Sequence, residues 1–195
     1  MKALQFSGGI DSLACLLLSR GDPDVTVYYA RTEAPYPDME AHVRACCEFA
    51  ELPLVIVEGN RYIPMFGYPK DTHDSARQCC ARSWWMPLYK QMMIDEIEVV
   101  IRGQRNDDIL QGVTHDTVEF GITYVLPIAE WTRAQVMEFV EKEAPQLIPA
   151  HYYNGETSGH DCWDCTAFLF ENEQRIANLP AGKRKFVMYQ LGRLV

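Results

Sequence analysis

The stretch Ser7-Gly8-Gly9-Ile10-Asp11-Ser12 places two glycines among hydroxyl and carboxylate side chains, directly after an apolar run. Apolar residues then recur at helical spacing from Ile10 to Leu17, which predicts a helix. Glycines at such a bend let the backbone approach a ligand, and the unpaired N–H groups of a helix start favour an anion. Gly-Gly alone is also common in ordinary turns. The whole string predicts that this segment, termed the glycine loop (residues 7–12), binds phosphate.

Two cysteine pairs form a second constellation, Cys79-Cys80 and Cys162-x-x-Cys165. A Cys-x-x-Cys alone is compatible with a redox dithiol, half of a zinc site or coincidence. Structural zinc usually takes its local ligands about two to four residues apart, whereas a four-iron cluster offers separate corners to separate thiolates. Adjacent cysteines therefore favour a 4Fe-4S cluster at these four residues. Zinc is the main alternative, and four buried structural cysteines are the next.

Further candidate residues follow two predicted strands. Thr32 comes after the run Val25–Ala30, and Arg102, Gly103 and Arg105 come after the run Glu98–Ile101. Ligands bind at the carboxyl ends of strands in open parallel sheets. We therefore predict that these residues contact the ligand, with the arginines at its anionic part. The alternatives are a helix-capping threonine and ordinary surface arginines.

The elements that would position these residues alternate between strand and helix. Strand-like runs lie at residues 3–6, 25–30, 54–57 and 98–101, and a further strand or hairpin lies within 118–128. The pattern predicts an α/β fold, an open, doubly wound and mostly parallel sheet of about five strands, with a C-terminal helical segment.

The intervening segments complete the predicted architecture. Residues 59–78 read as a long loop, which in a compact domain is usually functional, and a helix is predicted from Ala81 to Ile94. A second helix is predicted to begin at Thr132 as its cap. The length suits one domain over residues 1–195, in which the segment from about 150 to 195 carries the Cys-x-x-Cys pair and closes the site.

Composition restricts the class of protein. The net charge of −9 argues against broad, sequence-independent binding to nucleic acid, which depends on neutralising phosphates. We expect a cytoplasmic protein that does not bind membranes, because the sequence has no long apolar run and the start does not read as a signal peptide. Thiols stay reduced in the cytosol, so disulfides are not expected among the seven cysteines.

The glycine loop resembles the pyrophosphate loop, Ser-Gly-Gly-x-Asp-Ser, of the adenine-nucleotide α-hydrolase superfamily. The resemblance implies that an adenine nucleotide, ATP or an adenylyl sulfate (APS or PAPS), binds with its phosphates at Ser7, Gly8, Gly9, Asp11 and Ser12. Thr32 would then contact the adenosine half and Gly103 the anionic half. The loop lacks the lysine of a Walker loop. Magnesium is therefore implied, with Asp11 as the nearest carboxylate.

The cysteine spacing resembles that of assimilatory adenylyl-sulfate reductases, in the phosphoadenosine phosphosulfate (PAPS) reductase family. Those enzymes hold a 4Fe-4S cluster on an equivalent cysteine set. Further matches lie at Pro87-Leu88, Pro127-Ile128, Trp131-Thr132 and Ser158–Thr166. Two departures concern the chemistry. The family's tail cysteine, which attacks the sulfur of the nucleotide, has no counterpart after Cys165, so a partner would have to supply that thiol. In addition, Ser83-Trp84 stands where the family has an Arg-Lys pair.

Three functions follow as hypotheses. The first is ATP-dependent adenylation of an acceptor for sulfur transfer, in which Asp11, Arg102 and Arg105 serve catalysis and the arginines stabilise the departing pyrophosphate. The second is reduction of APS or PAPS with a partner thiol. The third is a non-catalytic, nucleotide-binding iron–sulfur sensor or complex subunit. The expected partners are an adenine nucleotide, a thiol or sulfur-donor protein, and a second copy of the chain in a homo-oligomer.

Overall fold

The computed structural model describes residues 1–108, 116–119, 121–153, 162–167 and 169–194. The strands are β1 (Lys2–Gln5), β2 (Val25–Arg31), β3 (Leu54–Glu58), β4 (Val99–Arg102), β5 (Val118–Glu119) and β6 (Ile122–Val125). The helices are α1 (Ile10–Leu18), α2 (Met39–Ala50), α3 (Ile63–Phe66), α4 (His73–Cys80), α5 (Met86–Ile94), α6 (Arg133–Glu143), α7 (Ala150–Tyr153), α8 (Leu169–Asn178) and α9 (Ala181–Leu194). A π turn (Ala81–Trp85) joins α4 to α5, and a 3-10 turn (Pro145–Leu147) follows α6.

The described strands form one sheet in the order β3-β2-β1-β4-β6-β5. Neighbouring strands pair in parallel except β5, which runs antiparallel to β6. The chain leaves β1 towards β2 on one side, and β4 pairs on the other side. A crevice therefore opens at the carboxyl ends of β1 and β4, where ligands bind in such sheets. In this register Gln5 lies beside Arg102.

Helices cover both faces of the sheet, because the strands present apolar side chains on both sides. One core packs α1, α2 and α6 against residues such as Leu4 and Val27. The other packs α5 against residues such as Ala3 and Val100. The predicted doubly wound, mostly parallel α/β fold is confirmed, with six strands and helices at the C-terminal end.

The helix that carries Cys79 and Cys80 begins earlier than predicted. The prediction began at Ala81, but α4, the π turn and α5 follow one another without a break from His73 to Ile94. The Thr72 hydroxyl caps the start by accepting from the Ser75 N–H at 3.2 Å. The segment His73–Cys80 is polar, so it gave no apolar periodicity to recognise. The loop predicted over residues 59–78 is therefore shorter, because α4 already begins at His73, and α3 (Ile63–Phe66) interrupts what remains.

Other local predictions concern the helices after the sheet. Thr132 caps α6 in a capping box with Gln135, which confirms the predicted helix start. Residues 150–153 form α7, although the segment from Ala150 to Asp161 was predicted as loop. Residues 154–161 of that segment lie outside the described residues. Across the part of the chain that the structure describes, each helix is too short or too polar to cross a membrane.

Candidate active site at the glycine loop

The glycine loop is held by its own serines. The Ser12 hydroxyl donates to the Gly9 carbonyl at 2.9 Å and accepts from the Ser7 N–H at 3.3 Å. The Ser7 hydroxyl accepts from the Gly9 N–H at 3.3 Å. Gly9 is the N-cap of α1 and has no side chain to satisfy the first-turn N–H groups. The start of α1 therefore has the electrostatic character of an anion site.

Two glycines are required by close packing around this loop. Gly8 has a φ of 83°, and a Cβ there would lie 2.5 Å from the Met39 sulfur. A Cβ at Gly103 would lie 2.7 Å from the backbone of Asp11 and of Ser12. Gly103 therefore lets the end of β4 approach the glycine loop, which is a spacing role in addition to the ligand contact predicted for it.

A cavity of about 140 Å³ opens beside the loop, between the ends of β1, β2 and β4 and the π turn. Five of the predicted site residues line it, and they are Ser7, Ser12, Thr32, Arg102 and Gly103. Trp84, Trp85 and Leu88 form its apolar wall. No carboxylate is among the described residues of the lining. We call this space the glycine-loop cavity.

Asp11, within the glycine loop, takes part in a network of ion pairs. Arg105 Nε approaches Asp11 Oδ1 at 3.1 Å, and Arg133 Nη1 donates to Asp11 Oδ2 at 3.1 Å. Burial raises the pKa of the Asp11 carboxyl above its usual range, although both arginines act to lower it. Asp11 is therefore already engaged by two cations, and a magnesium ion at the loop would depend mainly on the phosphates of the nucleotide.

The two predicted catalytic arginines differ in their partners. Arg105 is 9% exposed and pairs with Asp11, Asp107 and Asp108. Arg102 forms no hydrogen bond or ion pair with any described residue, and its guanidinium lies 5.8 Å from the centre of the Trp85 ring. Burial lowers the pKa of Arg102 below its usual value. Arg102 therefore offers a positive charge to an incoming anion, whereas the charge of Arg105 is already compensated.

Three residues that the sequence analysis did not select also contact the loop. Tyr152 of α7 accepts from the Ile10 N–H at 3.2 Å, and Arg133 lies over the Tyr152 ring at 4.9 Å. His42 of α2 donates to the Gly8 carbonyl at 3.2 Å, so Nε2 carries the proton. Burial lowers the pKa of His42. All three residues are separated from residues 7–12 by at least one strand or helix in the chain. The sequence indicated only one feature close to them, the helix cap at Thr132, which directly precedes Arg133.

The Cys-x-x-Cys turn docks beside the carboxyl end of β2. Cys162 forms a β-bridge with Pro35, and the Trp163 N–H donates to the Ala34 carbonyl at 3.1 Å. Arg175 of α8 is 1% exposed and donates to the carbonyls of Cys162, Trp163 and Cys165. The turn is thus held from both sides, and its bridge partner Pro35 lies three residues after Thr32 in the chain.

A buried ion pair joins this turn to the segment after β3. The Arg61 guanidinium donates to both Asp164 oxygens, at 2.8 and 3.1 Å, and both side chains are about 5% exposed or less. The Tyr68 hydroxyl donates to Asp164 at 3.0 Å. Burial opposes the charge of Arg61, but Asp164 and the nearby Cys162 and Cys79 thiols raise its pKa above its ordinary value.

The four cysteines predicted to hold a cluster all lie within the described residues. Cys79 is buried, whereas Cys80, Cys162 and Cys165 are half-buried. Cys79 and Cys162 both act electrostatically on the Arg61 guanidinium and raise its pKa. Within the described ranges, however, no three Cys, His, Asp or Glu side chains converge as ligands of one ion. A 4Fe-4S cluster takes one thiolate at each of four separate irons, so it does not require the four cysteines to converge on a single ion, and the cluster stays a prediction.

Comparison with known proteins identifies the family. A family model described as the phosphoadenosine phosphosulfate reductase domain matches residues 2–167. The chain belongs to this family. The matched range includes the glycine loop, Arg102 and both cysteine pairs. No curated protein sequence matches the chain.

Solved structures share the fold of this PAPS reductase-domain protein. A phosphoadenylyl-sulfate reductase from Candida auris, in a phosphate complex, has 17% identity and a TM-score of 0.62, covering 82% of this chain and 80% of that one. An NH3-dependent NAD synthetase from Campylobacter jejuni has 16% identity and a TM-score of 0.55, covering 99% and 84%. An NMN synthetase from Francisella tularensis has 13% identity and a TM-score of 0.56, covering 98% and 84%. These similarities support the predicted fold.

Proposed function

We propose that this PAPS reductase-domain protein binds ATP at the glycine loop and transfers its adenylyl group to an oxygen of an acceptor, which activates the acceptor for sulfur transfer. The observation that carries the proposal is Arg102, a buried guanidinium without a hydrogen bond or ion pair to any described residue, in a cavity that Ser7 and Ser12 also line. A charged group of this kind is costly to leave unpaired beside a protein wall. A polyphosphate supplies the missing anion.

The proposed reaction uses the loop and Arg102 in different ways. An acceptor oxygen attacks the α-phosphorus of ATP and forms a new P–O bond, while the bond to the β-phosphate oxygen breaks and pyrophosphate leaves. Negative charge accumulates on the departing pyrophosphate, where Arg102 and the first-turn N–H groups of α1 stabilise it. Arg105 and Arg133 act one step away, because they hold Asp11 and so fix the backbone of the loop.

The described residues of the cavity offer few ligands for a magnesium ion. The described lining of the glycine-loop cavity has no carboxylate, and Asp11 is shared by two arginines. A magnesium ion would therefore arrive bound to the phosphates of ATP and supply charge neutralisation there. Binding of ATP would depend on Arg102 more strongly than in a site rich in acidic ligands.

Pyrophosphate release tests the proposal. Purified protein incubated with ATP and Mg²⁺ is expected to form AMP and pyrophosphate, slowly when water replaces the acceptor. Arg102→Met should reduce the rate by about a hundredfold, because it removes one preorganised charge from the transition state. Arg20→Met is the matched control, since Arg20 lies over the Phe49 ring at the far end of α1. ATP that binds in a calorimeter but stays intact would contradict the proposal.

Reduction of PAPS or APS is the second candidate, and the family match over residues 2–167 favours it. In that reaction a thiol of a partner protein attacks the sulfur of the nucleotide and expels the nucleoside phosphate. A second thiol then releases sulfite and forms a disulfide. Sulfite release from PAPS or APS with added thioredoxin, without pyrophosphate release from ATP, would select this candidate. Nucleotide binding without either product would instead indicate a sensor or a subunit.

A further inference from the structure

A second and larger cavity lies on the other side of Arg102. Its volume is about 640 Å³, within the range of about 300–1,000 Å³ that is typical of small-molecule sites. Its wall is mainly apolar or aromatic, and the side chains that matter most are Trp85, Met86, Tyr89, Met93, Ile94 and Tyr124. Met86, Met93 and Ile94 are all more than half exposed. We call this space the side compartment.

The side compartment and the glycine-loop cavity are adjacent. Gln5, Trp85 and Arg102 line both of them, so these three side chains form the partition. Gln5 and Arg102 are register partners at the carboxyl ends of β1 and β4. A molecule in the side compartment therefore meets a molecule in the glycine-loop cavity at the partition. This placement suits two reactants of one transfer.

The charges of the side compartment favour an anion. Arg102 forms no hydrogen bond or ion pair with a described residue, although Asp108 and Glu119 act on its charge at longer range, and exposed Lys90 forms no ion pair there either. Glu119 is the one acidic side chain in the described lining. The Trp85 indole nitrogen is buried and has no hydrogen-bond acceptor within the described structure. Two cationic side chains thus line a mostly apolar space, and Trp85 in the same wall carries an indole N–H without an acceptor among the described residues.

We infer that the side compartment binds the acceptor, and that the acceptor is a small organic anion with an apolar, preferably aromatic, body. The role of this ligand as the acceptor rests on the proposed function, whereas its chemical class rests only on the residues that line the side compartment. The flat body would pack between Tyr89, Met93 and Tyr124. Its anionic group would face Lys90 and Arg102 at the partition, next to the phosphates of the nucleotide.

A fluorescent probe tests the binding site without any turnover. Anilinonaphthalene sulfonate has an aromatic body and one anionic group, and it is expected to bind with one dominant site. Met93→Glu should weaken its binding by about tenfold or more, because it places a like charge in the wall. Met188→Glu is the matched control, since Met188 on α9 is 56% exposed, close to the 55% of Met93. Equal affinities of these two variants for the probe would overturn the inference.

The preference for an anion is tested separately. N-phenylnaphthylamine lacks the sulfonate and should bind several-fold more weakly than the sulfonated probe, and Lys90→Gln should remove most of that difference. Lys142→Gln, at an exposed position on α6, should preserve the difference. Equal binding of the two probes to the unaltered protein would refute the anionic part of the inference.

Two other outcomes separate ligand binding in the side compartment from the proposed adenylation and from self-association of the chain. If Met93→Glu blocks the probe but ATP stays intact, the side compartment stands and the proposed adenylation fails. Sedimentation over a range of concentrations tests a second copy as the occupant. Self-association that Met93→Glu abolishes, with unchanged probe binding, would assign this face to an interface between chains and overturn the inference.

Discussion

The buried pair of Arg61 and Asp164 gives the most direct test of how the cysteine turn is held. Arg61→Met removes the guanidinium but keeps most of the side-chain volume. Asp164, 3% exposed, would then keep only the hydrogen bond from Tyr68. Breaking a buried ion pair by removing one partner typically costs about 3–5 kcal/mol, because the other charge remains buried.

This cost is large enough to measure by urea unfolding. With a urea dependence of about 2–3 kcal/mol per M, a loss of about 4 kcal/mol lowers the unfolding midpoint by about 1.3–2 M. Arg44→Met is the matched control, because Arg44 pairs with Glu40 on the exposed face of α2. That variant should lose less than about 1 kcal/mol.

A double variant separates the ion pair from simple loss of packing. Arg61→Met with Asp164→Leu removes both charges, and it should be more stable than Arg61→Met alone, since no buried carboxylate is left unpaired. The measured quantity is the coupling free energy of the cycle. An Arg61→Met variant no less stable than Arg44→Met would refute the reasoning, as would a double variant whose losses simply add.

Three further predictions concern the loop and the thiols. Gly103→Ala should cost about 1–3 kcal/mol and weaken ATP binding in a calorimeter, because its Cβ would meet the Asp11 backbone, whereas Gly182→Ala, with open space around it, should not destabilise the protein. The pKa of His42 is lowered on folding, so the stability it contributes is present above its unfolded pKa and is lost as the pH falls below about 6.5. Urea midpoints measured from pH 8 to 5 should fall less steeply for His42→Gln, and identical slopes would contradict this. Anaerobically purified protein is predicted to contain about four iron and four sulfide per chain and to lose them in Cys162→Ser; bound zinc without iron would contradict the cluster assignment.

The sheet and the glycine loop were predictable because their signals are local. Apolar runs mark the strands, and Ser7–Ser12 combines a bend, a helix start and small residues in one contiguous string. The carboxyl-edge rule then placed Thr32, Arg102 and Gly103, and all three line one cavity with Ser7 and Ser12. Each of these inferences uses only neighbours in sequence and one topological rule.

The remaining features depend on contacts between distant segments. The His73–Cys80 helix has no apolar stripe, so its cap and its packing decide its conformation. Tyr152 and Arg133 reach the loop from helices more than a hundred residues away in the chain. Whether the four thiols gather around one inorganic centre also depends on such contacts, and the spacing of cysteines alone does not determine them.

Arg102 and Arg105 show why residue type alone does not assign a role. Arg102 ends β4 and Arg105 follows it by three residues, and both were predicted to stabilise the leaving group. Asp107 and Asp108 follow directly and compensate Arg105, together with Asp11 from the loop. Arg102 lies in the strand register beside an uncharged residue, Gln5, and forms no ion pair with a described residue, while Asp108 and Glu119 act on it only at longer range.

The same distribution explains how an acidic chain can hold an acidic ligand. The net charge of −9 repels anions at long range, but salt screens that repulsion over about 8 Å. Within the crevice, the Asp11 carboxylate is already paired with Arg105 and Arg133. The described lining of the glycine-loop cavity contains no carboxylate. A nucleotide therefore meets the start of a helix and the Arg102 guanidinium, which forms no ion pair with a described residue, whatever the total charge. Binding that weakens with added salt in unaltered protein, and much less in Arg102→Met, would follow from this arrangement.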